Sequence, residues 1–345
     1  MPELRIDPLS GLRTIVAGER ADRPGGGFAP APAPPLDLER DPFLEGHEER
    51  TPPELWALRS EGGAPDTPGW TVRAVPNRYP ALSPGAASEA SVAEADPLAG
   101  GRGEPGLFAA RPAWGGHEVI VNTPRPARSL VELSPGTIET AMDAWRERMR
   151  AHAEAAYVHV IVNEGREAGA SLPHSHAQLY ALPFVPAAVA RERERFTAHA
   201  ERTAGRNLLA DLLQEEVRLG ERIVAIDREA VALCPFASRV PYQVQIIPRT
   251  VRPRFEGEGP LGARLLRQAL GRLAGLLGAL PALNMWVRTA PRGAEYFCWR
   301  IDLLPKLTHL AGLELGTGIH LNVVAPERAA AELSAVEPAL PEPVG

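Results

Sequence analysis

The order strand, glycine-bearing loop, strand, proline occurs twice in this 345-residue chain, and it limits the possible folds more than any other feature. VIVNEGREAG leads into HSHAQLYALP within residues 160–183, and NMWVRTAPRG leads into FCWRIDLLPKL within residues 284–307. Each is preceded by a helical segment, one opened by Ser134-Pro135 and one leucine-rich over residues 261–280. Further out, strand-like runs at 72–82 and 115–124 are mirrored by runs at 223–234 and 242–248. Two related halves are implied, and the length suits them.

Chemistry concentrates in the first half, in the run NEGREAGASLPHSHAQLYALPFVP over residues 163–186. Side chains alternate faces along an extended strand, so His174, His176 and Gln178 are expected to point the same way. Two imidazoles and a carboxamide then stand side by side. The loop before them is small enough for its backbone N–H groups to approach an anion, with Gly169 and Ala170 leading to the Ser171 hydroxyl. Asn163 adds a further polar group at the start. A His-x-His pair alone is often only a surface face, but here every neighbour has a polar task that a structural strand would not need. The set describes a phosphate-sized site. In the second half Tyr296, Cys298 and Arg300 are expected where the two histidines and the glutamine stand in the first, so the catalytic spacing is lost there.

Ser134 can cap a helix and Pro135 suits its first position. Ile138, Met142, Trp145 and Met149 follow at spacings of four, three and four, a core-facing stripe. Residues 189–220 read as a charged helix or helix pair whose Glu and Arg run is a solvated face. His117 reads as a strand-end surface residue and His159 as a packed or face-pointing strand residue. Residues 24–35 read as a linker and residues 83–106 as a disordered loop.

A net charge of −6 leaves no basic field for nucleic acid. Cys234 and Cys298 stand far apart, which suits a reducing compartment and offers no CxxC knuckle. The start, MPELRIDPLSG, lacks an apolar targeting core, and no run is long and apolar enough for a membrane span. A cytoplasmic protein without membrane contact is expected.

NEGxxxGASxxHxHxQ resembles the active-site signature of galactose-1-phosphate uridylyltransferases, the transferase branch of the histidine-triad superfamily. RIDPLSG near the start and ELGTG near the end extend the resemblance over most of the chain. It implies an α+β fold of two tandem histidine-triad-like repeats, each an antiparallel sheet with packed helices, over residues 1–190 and 191–337, with a disordered tail over 338–345. It also implies transfer of a nucleotidyl group between sugar phosphates through a covalent nucleotidyl-histidine at His176, with His174, Gln178 and Ser171 assisting. Arg20 and Arg23 match arginines that contact nucleotide phosphates across a homodimer. Asn77 lies in a segment lining the nucleoside pocket, and Glu314 and Gly316 lie in one bordering the hexose. The substrates implied are a nucleotide sugar and a hexose 1-phosphate.

Departures from the family pattern bear on metals and on the base. The four zinc positions fall at Asp41, Leu44, Pro126 and His174, of which only the last keeps its ligand, and a closed structural zinc site takes about four. The segment reading HWH in the family, part of a second metal site, reads CWR here. No metal and no other cofactor is therefore expected. Hydrolases of the superfamily carry a third histidine where this chain has Gln178, which favours transfer. The favoured expectation is UDP-glucose and hexose 1-phosphate as substrates. Ser175 between the histidines resembles instead the relatives that act as ADP-glucose phosphorylases, the alternative. A non-catalytic nucleotide sensor is a third reading.

Overall fold

The computed structural model describes residues 1–19, 28, 30, 36–84 and 112–344. Strand β1 (Glu3–Ile6) and β2 (Arg13–Val16) form a hairpin, and β13 (His320–Asn322) joins β2 in parallel to complete a three-stranded sheet. The other ten strands make one continuous antiparallel sheet. They are β3 (Trp56–Leu58), β4 (Val72–Pro76), β5 (Gly116–Val121), β6 (Tyr157–Glu164), β7 (His176–Leu182), β8 (Ile223–Ile226), β9 (Ala230–Leu233), β10 (Val244–Pro248), β11 (Leu283–Arg288) and β12 (Arg300–Pro305).

The strand order is β3-β4-β5-β7-β6-β11-β12-β10-β9-β8. Outward from its middle, where β6 lies antiparallel to β11, β6-β7-β5-β4-β3 on one side is matched by β11-β12-β10-β9-β8 on the other. The two halves read from the sequence are therefore joined edge to edge into one sheet, and no free edge remains between them. Each half contributes one helix to the same face: α1 (Pro135–Ala151) and α4 (Ala263–Leu277). Ser134 Oγ accepts from Thr137 N–H at the start of α1, with Pro135 in the first turn. Ile138, Met142, Trp145 and Met149 are all buried against the sheet. Leu265, Leu266, Leu270 and Leu273 do the same from α4. Burying each such side chain contributes about 1.5–3 kcal/mol, which fixes the sheet's inner face.

Among the described residues the opposite face is only partly covered. Helices α2 (Ala187–Arg202) and α3 (Leu208–Leu219) pack Phe196, Leu209 and Leu213 over its second half. Phe43, Trp70, Val75, Val119 and Val121 form a small cluster over its first half. Helix α5 (Gly312–Thr317) precedes β13, and α6 (Pro326–Ala335) follows it. Among the described residues no helix is long and apolar enough to cross a membrane.

Three expectations need correction. Residues 338–344 are not a free tail: Ala339 N–H bonds to Gly271 O and Val344 N–H to Glu132 O. A Cβ at Gly271 would lie 2.6 Å from Leu340, and one at Gly275 2.8 Å from Val336, so these two glycines open the groove along α4 that the tail occupies. The charged run on α2 is not wholly solvated, because Glu192 is buried in an ion pair with Arg300. In the second half the strand corresponding to β7 begins at Arg300. With VNEG aligned to VRTA, Arg300 and Asp302 occupy the positions of His176 and Gln178, two residues along from the expected set. The loop expected over residues 83–106 and the linker over 24–35 fall largely outside the described residues.

Candidate active site

Strand β7 begins only at His176, so His174 is not part of a flush row of three. It sits in the preceding turn, 1% exposed, with Nδ1 2.7 Å from Asp41 Oδ2 and Nε2 2.9 Å from Thr123 O. What it presents to His176 is its backbone: the His174 carbonyl lies 2.7 Å from His176 Nδ1. A carbonyl can only accept, so Nδ1 carries the proton and Nε2 keeps its lone pair. The Phe43 ring stands over His176 at 5.2 Å, tilted 56°. Burial, outweighing the hydrogen bond to the His174 carbonyl, pulls the His176 pKa below the usual histidine value. The ring is thereby held neutral.

His176, Gln178 and Tyr180 share one face of β7, the face opposite α1, and the register sets Val121 beside His176, Val119 beside Gln178 and His117 beside Tyr180. His117 is not a surface residue. It is 8% exposed, stacked on Tyr180 with centroids 4.1 Å apart, and its Nδ1 accepts from Ala81 N–H at 3.0 Å. Burial lowers its pKa, so the ring is neutral and its single proton lies on Nε2. That N–H donates to Gln178 Oε1 at 3.1 Å, and the Tyr180 hydroxyl donates to the same oxygen at 3.1 Å. With its carbonyl oxygen fixed by two donors, Gln178 turns its amide N–H groups the other way, and among the described residues nothing accepts from them. Asn77 Nδ2 is 3.1 Å from the protonated His117 Nε2, which cannot accept, so its hydrogens are likewise left to offer, while Asn77 Oδ1 accepts from Tyr79 N–H.

Asn163 stands on β6 one residue beyond the Val162–Ala177 pair, level with His176. Asn284 of β11 donates to both Asn163 Oδ1 and Ala168 O at 2.8 Å, tying the strand to the loop that follows it. That loop turns at Gly165, whose φ of +84° and 2.6 Å approach to Ala282 exclude a side chain. Gly169 and Ser171 are exposed and Ala170 half-buried. Ser175 points inward, its Oγ accepting from Asn122, which in turn accepts from Trp145 Nε1 of α1. Sequence reasoning missed His117, Tyr180 and Asn284 as site residues. Tyr180 was signalled only by continuing the alternation of His176 and Gln178 along β7, and His117 and Asn284 only by their places on β5 and β11.

Glu314 and Gly316 lie elsewhere, on α5. Glu314 accepts from Ala311 N–H and lines a groove with Ile15, Leu313 and Leu321. Among the described residues neither touches the His176 face within one chain. Arg20 and Arg23 lie outside the described residues.

The family's zinc positions do not suit a zinc ion here. Asp41 and His174 are bonded directly to each other, and Leu44 and Pro126 bring no donor side chain. The buried Asp41–His174 pair instead ties the segment carrying Phe43 to the turn before β7. Asp41→Ala should cost about 1–3 kcal/mol, because it leaves a buried ring N–H without its acceptor. Thermal unfolding measures it, and an unchanged midpoint would contradict the role.

Glu164, at the end of β6, accepts from Ser129 Oγ at 2.7 Å and Leu130 N–H at 2.9 Å, yet burial pushes its pKa up to about 7. The folded state therefore holds a proton that the unfolded chain releases at its ordinary value of 4.5. This contribution is fully present below pH 4.5 and is lost as pH rises through 7, up to about 3 kcal/mol in all. Glu164→Gln should flatten the stability of the protein between these limits, as read from urea unfolding at several pH values.

A tandem-repeat sheet with a neutral, lone-pair-bearing histidine beside amide donors defines the class: a nucleotidyltransferase of histidine-triad type. Sequence comparison agrees. A family model described as galactose-1-phosphate uridyl transferase, N-terminal domain, matches residues 1–186, and one described as a domain of unknown function (DUF4921) matches residues 132–337. The chain belongs to the galactose-1-phosphate uridyl transferase family. The ADP-glucose phosphorylase of Arabidopsis thaliana is 29% identical over 340 residues, 94% of this chain and 90% of the relative. The galactose-1-phosphate uridylyltransferase of Thermotoga maritima is 29% identical over 278 residues, 76% of this chain and 83% of the relative. Among solved structures, an Arabidopsis thaliana ADP-glucose phosphorylase with bound ADP-glucose superposes with a TM-score of 0.77 at 27% identity, covering 98% of this chain and all of that one.

Proposed function

We propose that the protein transfers the nucleotidyl group of a nucleoside-diphosphate glucose to a phosphate acceptor through a covalent nucleotidyl-His176, with no bound metal. The observation that carries this is the free Nε2 lone pair, set by the His174 carbonyl and facing the same side as the Gln178 amide. Nε2 attacks the α-phosphorus; the N–P bond forms and the P–O bond to the β-phosphate breaks, its electron pair leaving with glucose 1-phosphate. That leaving group needs no strong acid, since its second pKa is about 6. Gln178 donates to a non-bridging oxygen, where a carboxylate would repel. Asn163 and Asn77 offer further amide donors, and Ser171 with the Gly169 and Ala170 backbone serves the leaving or entering phosphate. In the second half-reaction an acceptor phosphate oxygen attacks phosphorus, the N–P bond breaks, and the pair returns to Nε2.

Two readings of the base and acceptor remain distinct. The match to an ADP-glucose phosphorylase along almost its whole length, together with Ser175 between the histidines, favours an adenylyl donor with inorganic phosphate as acceptor. The family as a whole favours a uridylyl donor with hexose 1-phosphate as acceptor. In either case we place Arg20 and Arg23 on the phosphates and Glu314 and Gly316 at the hexose, reached across a homodimer. Intact-mass measurement after separate incubation with ADP-glucose and UDP-glucose decides between them, because the added mass names the nucleotide. No adduct from either would leave only nucleotide binding.

The pH dependence follows from the ring. Because burial keeps His176 neutral to lower pH than a free histidine, the acid limb of kcat/KM should fall below about pH 6.5. A limb at or above that value would mean the lone pair is not protected in this way.

A further inference from the structure

The second half of the sheet carries its own polar cavity, of about 80 Å³, on the same face as His176 but away from it. It lies between β10, β11 and β12 and the turn joining β1 to β2. Arg288 is four residues along β11 from Asn284, which is level with His176, a separation of roughly 13 Å along the strand.

Its charges do not balance. Arg300 donates from both Nη atoms to Glu192, at 3.0 and 3.1 Å, and its Nε lies 3.1 Å from Asp302 Oδ2. Arg288 approaches the same Glu192 through Nε, at 3.4 Å and without hydrogen-bond alignment. Gln245 satisfies the other Asp302 oxygen. Asp7 is occupied by the N–H groups of Leu9 and Ser10 and the Ser10 hydroxyl of its own turn. The Arg239 guanidinium rests against the Trp286 ring at 5.4 Å and, among the described residues, has no carboxylate within ion-pair distance. Of the charged groups lining the cavity, the four guanidinium groups of Arg191, Arg239, Arg288 and Arg300 thus face the three carboxylates of Asp7, Glu192 and Asp302, and Arg239 and Arg288 border it without a hydrogen-bonded carboxylate. A metal ion is unsuited, since Arg300 already lies between the two carboxylates and the uncompensated charge is positive.

We propose that this cavity binds a small tetrahedral oxyanion of the phosphate class, held by Arg239 and Arg288. Guanidinium forks match two oxygens of such an anion, and a buried charge without a partner is costly. A water takes up about 30 Å³, so the space suits two or three waters or one such anion. The inference rests on charge and volume in the second half and does not depend on chemistry at His176.

The test is calorimetric titration of the full-length protein with inorganic phosphate and with sulfate, at constant ionic strength in chloride. Saturable binding is expected for both, retained in His176→Ala and weakened at least tenfold in Arg239→Gln and in Arg288→Gln. Binding abolished by His176→Ala but intact in the arginine variants would assign the anion to the nucleotide site and overturn the proposal, as would no saturable binding. Should an arginine variant fail to fold, crystals of the wild-type protein soaked in selenate answer independently. An anomalous peak between Arg239 and Arg288 is expected, and an empty cavity would sink the inference.

Discussion

His176→Ala is expected to abolish covalent nucleotide on the protein and to lower turnover by at least about 10⁴-fold, the scale seen when a catalytic nucleophile is removed. The size follows from the absence of a substitute beside Gln178: His159, also held neutral by burial on this face, stands beside Tyr180, four residues along β7 from His176. His174 cannot stand in, because both its nitrogens are engaged, by Asp41 and by Thr123 O. His117 cannot, because Nδ1 accepts from Ala81 and Nε2 carries the proton donated to Gln178. The variant should fold, since the alanine removes a ring bonded only to a backbone carbonyl and leaves the β5-β7-β6 register intact. Intact-mass analysis and turnover on the same sample read both effects. An adduct that persists in the variant would place the nucleophile elsewhere.

Much of this geometry was legible in the sequence, and the parts that were not share one cause. Helix α1 could be read because its signals are local: a serine cap, a proline in the first turn and a four-three-four stripe. The two halves could be read because the same order recurs. Hydrogen bonds between distant segments could not. The role of His117 depends on Ala81 N–H, 36 residues earlier in the chain, and on a strand register that sets it beside Tyr180. Asp41 could be seen as a missing zinc ligand but not as the acceptor that holds His174, which requires knowing that residues 133 apart meet. Glu192 looked like one more charge in a solvated run, because nothing local distinguishes it from Glu194. The tail looked unstructured because its partner groove is made by glycines in α4 more than sixty residues away.

Glu192→Ala should be the most destabilising single change outside the apolar core, costing roughly 3–5 kcal/mol. Glu192 is 3% exposed and holds Arg300 in a two-bond pair while lying near Arg288. Without it, Arg239, Arg288 and Arg300 keep only Asp302 and Asp7 as counter-charges, and the lost carboxylate leaves space that the sheet cannot close. The loss falls on the packing of α2 against β12, which also carries Phe196 onto Phe297 at 4.7 Å. Urea unfolding should show it as a lower midpoint with an unchanged slope. Removing both partners, Glu192→Leu with Arg300→Met, should recover part of the loss, because the apolar pair strands no charge between these two positions although Asp302 loses its nearest cation. A single variant as stable as the parent would mean that the Arg300 charge is met by something other than Glu192. If the double variant were no better than the single, the cost would lie in lost packing, and the electrostatic account of this half of the sheet would fail.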